Sequence, residues 1–185
     1  MRALFILPLI LGPCVSAQSD ALLKVVRSKV DFVSDAPLER ITATNTKASG
    51  LIDPTERTFA VRIPIAAFEG FNAPLQQEHF NENYMVTRTW PNATFQGRVI
   101  EAVDLSVPGS YDVRAKGELT IRGVKQERII PCHMIVSEDG MRVTTGFDVA
   151  LDRHEIRIPR VVQQKIAPVV QVEVDLLFKW SGPVP

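Results

Sequence analysis

Chemistry in this sequence has few places to reside. The three histidines are His79, His133 and His154, and the acidic side chains that accompany them are Glu78, Asp152 and Glu155. Structural zinc sites need four protein ligands and catalytic ones three, and a helical metal pair needs His-x-x-x-His. No two of these histidines stand four apart. Cys132 would act as a nucleophile only beside a base that lowers its pKa. It lies within an apolar alternation instead, which predicts a buried, inert thiol with His133 on the opposite face. His79, next to Phe80, is expected to be a buried or capping histidine. Asp152-Arg153-His154-Glu155 carries mixed charge and is expected to be a solvated turn. The residues therefore predict no catalytic group, no metal and no other cofactor.

The elements that must carry these residues are strands. Alternation of apolar and polar side chains with period two marks strands with one face in a core and one in water. Tyr111, Val113, Ala115, Gly117, Leu119 and Ile121 share one side, and Asp112, Arg114, Lys116, Glu118, Thr120 and Arg122 share the other. Val170, Val172, Val174, Leu176, Phe178 and Trp180 repeat the arrangement, with Leu177 as the exception. Shorter runs occur at Phe59, Val61, Ile63 and Ile65, at Ala93, Phe95, Gly97 and Val99, at Cys132, Met134 and Val136, and from Val143 to Leu151. Runs near 29–36 and 40–51 bring the total to about eight strands. Asp53-Pro54, Pro108-Gly109-Ser110, Arg122-Gly123 and Glu138-Asp139-Gly140 supply turns between them. Leu75, His79, Phe80, Asn83 and Tyr84 follow a spacing closer to a helical turn. A short helix is predicted from Pro74 to about Met85, with proline in its first turn. Trp90-Pro91 then returns the chain to strand. Antiparallel strands with short turns make either a sandwich or a barrel, and closing a barrel removes exposed edges.

The first residues predict export. Arg2 gives a short basic region, Ala3 to Leu11 an apolar run, and Val15-Ser16-Ala17 a small-residue cleavage site, so residues 1–17 are expected to be a signal peptide and 18–185 a single domain. The run is interrupted by Pro8 and is too short to span a bilayer. Cys14 follows Pro13, a poor fit to a lipoprotein cleavage box. Arg2 is the one charge that leaves with the leader, which turns 21 basic and 21 acidic residues into 20 and 21. A near-neutral chain of this kind lacks the basic footprint of a nucleic-acid binder. Loss of Cys14 would leave Cys132 alone and the fold without an intrachain disulfide.

Three stretches resemble the YceI-like family. Leu75-Gln76-Gln77-Glu78-His79-Phe80-Asn81-Glu82-Asn83-Tyr84-Met85, followed by Trp90-Pro91-Asn92-Ala93-Thr94-Phe95-Gln96-Gly97, is similar to the family's helix carrying His-Phe that leads into Tyr-Pro-x-Ala-x-Phe. Gly117-Glu118-Leu119-Thr120-Ile121-Arg122-Gly123-Val124-Lys125 resembles Gly-Asp-Leu-Thr-Ile-x-Gly-Val-Thr. Phe147 to His154 is a weaker match to a strand running into Asn-Arg-x-Asp-Phe-Gly. The chain departs from the pattern in 25–33, which lacks the Ser-x-Val-x-Phe-x-Val-x-His run, and in Trp90, where tyrosine is usual.

That resemblance implies an all-β, extended eight-stranded antiparallel barrel of lipocalin type with one short helix, exported to the bacterial periplasm. It also implies a binding protein rather than an enzyme, holding an isoprenoid or other long amphiphile in an apolar channel. The candidate lining is then Phe59, Val61, Ile63, Phe80, Phe95, Tyr111, Val113, Leu119, Met134, Phe147 and Val149, each of which is equally an ordinary core position. An eight-stranded barrel is either filled by side chains or wide enough for one small ligand, and periodicity does not decide which. The alternatives to a carrier are a barrel filled by Trp90, Phe95 and Phe147 that acts as a structural or interaction module, and an enzyme acting on a hydrophobic substrate through His79 or Cys132. The expected partner is a lipid-like small molecule. Transient membrane contact without spanning, and a homodimer, both remain compatible with the sequence.

Overall fold

The computed structural model describes residues 22–181. The expected signal peptide at residues 1–17 lies outside the described residues. Nine strands follow one another as β1 (Leu23–Asp35), β2 (Arg40–Asn45), β3 (Ser49–Asp53), β4 (Thr58–Pro64), β5 (Asn92–Val99), β6 (Gly109–Ile121), β7 (Val124–Ser137), β8 (Gly140–Ala150) and β9 (Val169–Trp180). All pairings are antiparallel, and β9 returns to pair with β1 from Leu23 to Val33. The result is a closed eight-stranded antiparallel barrel, because β2 and β3 are two pieces of one broken strand.

The break corrects the expectation of one continuous run over 40–51. β2 pairs with the second half of β1, through Val30 to Asp35, whereas β3 pairs only with Leu23 and Lys24 at its start. Asn45 fixes the interruption: it is fully buried, its side-chain amide donates to the carbonyl of Pro64 at 2.8 Å, and its Oδ1 accepts from the amide of Lys47 at 2.8 Å. A buried asparagine with its groups satisfied costs little, and here it replaces ladder bonds that the kinked backbone cannot make.

The β6–β7 hairpin follows the turn chemistry. Arg122 and Gly123 both have positive φ, 50° and 75°, as a two-residue turn matching the strand twist requires. A Cβ on Gly123 would meet the ring of Trp90 at 2.6 Å, so the tryptophan lies flat over this turn. Gly97 and Gly117 face each other across β5 and β6, where a Cβ on either would come within 2.2 Å of the opposite backbone. Glycine at both positions lets the two strands press together there.

One seam is left open in the wall. β7 and β8 pair only between His133–Ser137 and Gly140–Thr144. Pro131 stands just beyond the last pair; it has no N–H, and its carbonyl accepts from the Thr145 hydroxyl at 2.6 Å. Below it, side chains do what a ladder would otherwise do. Arg128 donates to the Asp148 carbonyl at 2.9 Å, Gln126 to the Arg153 carbonyl at 3.1 Å, and Arg122 to the Glu155 carbonyl at 2.7 Å.

The helix α1 spans Pro74–His79 and widens into a π turn over Phe80–Tyr84, so the predicted 74–85 segment is helical throughout but not uniformly α. Pro74 sits in its first turn as expected. Among the described residues, no helix is long and apolar enough to cross a membrane.

Candidate functional site

The two ends of the barrel differ. One end gathers the start of β1 and β8 and the end of β3, β5 and β9. Leu23, Val99, Leu105, Val113, Met134, Val136, Met141 and Phe178 are all buried there. At the other end lies a cavity of about 460 Å³, walled by the end of β1, β4, β6 and β8, the start of β5 and β9, helix α1, and the segments 65–73 and 151–166. Its lining is overwhelmingly apolar, and its size falls in the range of small-molecule sites.

Part of this wall borders open space, whereas Leu119, Val149, Ile65 and Phe68 in the same wall are buried. Phe32, Ile63, Phe80, Ile121, Phe147, Val170 and Val172 line this cavity, yet each is only half-buried, although each sits on an inner face. They lack neighbours on one side because the space beside them is open. Four phenylalanines form the most compact part of the wall. Phe32 stacks on Phe80 at 5.5 Å between ring centroids and meets Phe68 edge-on at 5.3 Å, and Phe71 lies 5.1 Å from Phe80. Such ring pairs hold each other in place more firmly than aliphatic contacts of equal area.

The polar groups at this site are few and lie at its edge. Glu39 accepts from Gln76 at 2.9 Å, which ties the β1–β2 turn to α1. Leu38 donates its amide to the Gln164 carbonyl at 2.8 Å, tying the same turn to the segment that precedes β9. Ser34 is buried, and its hydroxyl accepts from the amide of Ala167 at 2.9 Å. Tyr84 is part of the wall, and burial raises the pKa of its phenol, so it stays protonated.

Of the expected lining, Ile63, Phe80, Leu119, Phe147 and Val149 stand in this cavity wall. The other six lie elsewhere on the inner face. Val113 and Met134 are buried in the closed end, and Phe59, Val61, Phe95 and Tyr111 pack against that core, with Phe59 and Phe95 rings 4.9 Å apart. Sequence reasoning missed Phe68 and Phe71, and also Ile156, Val162 and Ile166, because all five lie in irregular segments where no period exists to read.

A YceI-like domain model matches residues 23–178. The chain belongs to the YceI-like family. Among solved structures, the YceI-like barrel is similar to a polyisoprenoid-binding domain from Saccharophagus degradans implicated in plant cell wall breakdown, with TM-score 0.73, 16% identity, and 86% of this chain and 98% of that chain covered. It is also similar to Burkholderia cenocepacia BcnA, with TM-score 0.66, 20% identity, and 81% and 95% covered. A Campylobacter jejuni YceI protein matches with TM-score 0.51 and 12% identity over 96% of this chain and 92% of that one. At these identities the likeness is one of fold. No curated protein sequence matches the chain significantly.

The chemistry-bearing residues of this YceI-like barrel are dispersed. Cys132 is buried in the closed end, and burial raises the pKa of its thiol, the reverse of nucleophile activation. His133 points to the outer face, opposite Cys132. Its Nδ1 lies 2.7 Å from Asp112 and its Nε2 3.4 Å from the Ser110 hydroxyl. This Ser–His–Asp file lies on the convex outer wall, with 92% of the Asp112 side chain exposed, so water screens the carboxylate that would have to orient the imidazole. His79 is exposed rather than buried. It occupies the last turn of α1 and borders the cavity mouth. Among the described residues, no three His, Cys, Asp or Glu side chains converge to hold a metal.

His154 overturns the expectation of a solvated turn. Asp152, Arg153 and Glu155 are exposed as expected, but His154 has no exposed surface and plugs the seam between β7 and β8. Its Nδ1 donates to the Val124 carbonyl at 3.2 Å, while its Nε2 is buried with no hydrogen-bond partner. Burial, aided by the nearby Arg128 charge, lowers its pKa and holds it neutral.

Proposed function

We propose that this protein is an exported carrier or store for one long, lipid-like molecule, an isoprenoid or similar amphiphile, held in the cavity at the open end. The observation that carries this reading is the cavity itself, about 460 Å³ of apolar space kept open by half-buried phenylalanines in an otherwise well-packed barrel. A cavity lined by aliphatic and aromatic side chains stays dry and gains by accepting apolar matter. Each methylene transferred from water contributes about 0.8 kcal/mol. A ligand with a chain of many methylenes thus offsets the loss of its own freedom without any ion pair. The polar groups at the mouth, Glu39, Gln76, His79 and Lys165, would meet a head group, while the interior offers nothing that selects one chain over another. The polyisoprenoid-binding description of the Saccharophagus degradans domain of the same fold supports the ligand class.

The reading is of binding, not catalysis. The thiol is protonated and buried away from the cavity, and His79 borders the mouth without an acidic partner to orient it. The leader-like first residues support residence in the periplasm, with residues 18–185 as the mature domain. The rival reading, a barrel filled by Trp90, Phe95 and Phe147, is disfavoured because Trp90 lies on the outside over Gly123 and Phe147 borders open space.

The experiment is native mass spectrometry of protein exported with its own leader and purified without detergent, followed by solvent extraction. A stoichiometric apolar adduct released only on denaturation is the expected result. A clean apo mass that persists after incubation with polyprenols and fatty amides would overturn the reading.

A further inference from the structure

The rim of the open end carries exposed apolar side chains that the core does not use. Val161 is 90% exposed, Leu38 66% and Leu75 58%. They come from three separate segments: the 3-10 turn Arg160–Val162, the β1–β2 turn and the first turn of α1. Those segments are tied to one another. The Leu38 amide bonds Gln164, and Glu39 bonds Gln76, so the three side chains stand on one connected rim. Glu39, Leu75 and Val162 also border the cavity, which places the rim around its mouth.

The 159–166 segment is apolar on two sides. Val162 and Ile166 turn into the cavity, while Val161 points into water at the tip. A lone exposed valine needs no explanation, but one at near-complete exposure, ringed with two leucines around an apolar opening, marks a contact surface. The charge nearby selects the partner. Arg157, Arg160 and Lys165 are all exposed, and no acidic residue lies between Glu155 and Glu173. The rim is not uniformly basic: Glu39 borders the cavity next to Leu38, and Glu78 and Glu82 lie on the helical segment, so the basic contact is assigned to the segment carrying Val161.

We propose that this rim docks on a lipid bilayer, with Val161, Leu38 and Leu75 entering the interface and Arg160 and Lys165 meeting phosphate groups, so that a ligand passes between membrane and cavity without crossing water. The inference rests on the ligand-binding reading above and adds to it the surface from which the ligand is loaded. A molecule apolar enough to prefer the cavity is also too apolar to travel free in water, so the mouth must meet the phase that dissolves it. Small apolar insertions give weak, reversible binding that anionic lipid strengthens, which is the behaviour a carrier requires.

The test uses the full-length mature protein and sedimentation with phosphatidylcholine vesicles, with and without phosphatidylglycerol. The wild type is expected to sediment with vesicles, more strongly when phosphatidylglycerol is present. The variant Leu38→Asp/Val161→Asp is expected to lose about tenfold or more of that binding, since each charge must be kept out of the interface. Arg160→Glu is expected to lose much of the phosphatidylglycerol enhancement and nothing else. Ile129→Asp/Ile135→Asp, at comparably exposed positions of 54% and 47% on the outer strand wall, is expected to bind vesicles as the wild type does. In parallel, a fluorescent polyene alcohol is titrated into vesicle-free protein. All variants are expected to bind it within about twofold of wild type, because none of Leu38, Ile129, Ile135, Arg160 and Val161 lines the cavity. Wild-type protein that takes up the polyene but ignores both vesicles overturns the docking proposal and leaves the binding reading intact. Failure to take up the polyene overturns the binding reading instead. Rim variants that abolish a wild-type dimer in equilibrium sedimentation, with no vesicle binding in either state, would assign the rim to a second copy of this chain and overturn the proposal as well.

Discussion

The two ends of this barrel are made from the same strands and the same alternating pattern, yet they do opposite things with apolar side chains. At the closed end, Leu23, Met141 and Phe178 are wholly enclosed, Leu105 from the β5–β6 connection seals the bottom, and β7 and β8 are joined by a ladder. At the open end, strands with equally apolar inner faces stop short of meeting, the β7–β8 ladder is replaced by side-chain bonds, and irregular segments supply the wall. Phe32, Phe80 and Phe147 there remain half-buried, although Phe68 beside them is buried. The difference teaches that an inner-face position in a barrel is core or lining according to its depth, and that depth is set by where strand pairing ends and not by the residue itself.

Truncation gives the largest contrast. Phe178→Ala, in the closed end, is expected to cost about 3–5 kcal/mol, the transfer free energy of the ring plus the hole left behind. Phe80→Ala, in the open end, removes a ring already bordering empty space and is expected to cost only about 1 kcal/mol. Urea unfolding monitored by Trp fluorescence measures both. Equal losses at the two positions would mean that the open end is as tightly packed as the closed one. Binding should show the reverse ranking, with Phe80→Ala weakening uptake of an apolar probe by about tenfold, roughly 1.4 kcal/mol, and Phe178→Ala leaving it nearly unchanged wherever the protein stays folded.

Enlargement sharpens the contrast from the other direction. Ile63 is half-buried, faces the cavity and has the small Ala93 opposite it on β5. Ile63→Trp should therefore fit with a stability change within about 1 kcal/mol while filling the space a ligand would occupy. Val113, buried opposite Cys132 in the closed end, has no such room. Val113→Phe is expected to destabilise by about 1–3 kcal/mol through overpacking. Thermal unfolding and probe titration of the pair separate the two cases. An Ile63→Trp protein that still takes up the probe would show that the ligand uses other space.

The strands, the Arg122-Gly123 and Glu138-Asp139-Gly140 turns, the Pro74 helix start and the family motifs were all readable because each depends on residues near in sequence. The lining was only half-readable. Alternation placed Val113 and Phe147 on the same face with equal weight, yet they lie at opposite ends of the barrel, and no local signal encodes that. Phe68, Phe71, Val162 and Ile166 were invisible because their segments follow no period. What could have pointed to them is the excess of apolar residues in stretches that are neither strand nor regular helix, since such stretches must cover something apolar. His154 was misread for a related reason. Its neighbours are charged and exposed, and only the parting of β7 from β8 creates the pocket that swallows it.

His154 is also where the open end is expected to fail first. The folded protein holds this imidazole neutral, with its pKa lowered below the ordinary 6.5 chiefly by burial, whereas the unfolded chain binds a proton near that ordinary value. Above about pH 6.5 both states are neutral and the residue contributes no pH dependence. As the pH falls below that value the unfolded state takes up the proton first, so stability declines until the folded pKa is passed. A proton forced onto Nε2 would bury a cation with no partner, close to Arg128, within a seam that lacks a ladder. Thermal unfolding at pH 7.5 and pH 5 should therefore show a lower Tm at acid pH, and His154→Gln, which bears no titrating group, should reduce that drop by a few degrees. The variant itself is expected to be mildly less stable at neutral pH, because the amide fills the seam less completely than the ring. Hydrogen exchange locates the effect: acid should release the amides of β7 from Val124 to Ile130 before those of Met134 and Val136, where pairing with β8 is intact. Simultaneous release along all of β7 would show that the seam is no weaker than the ladder above it.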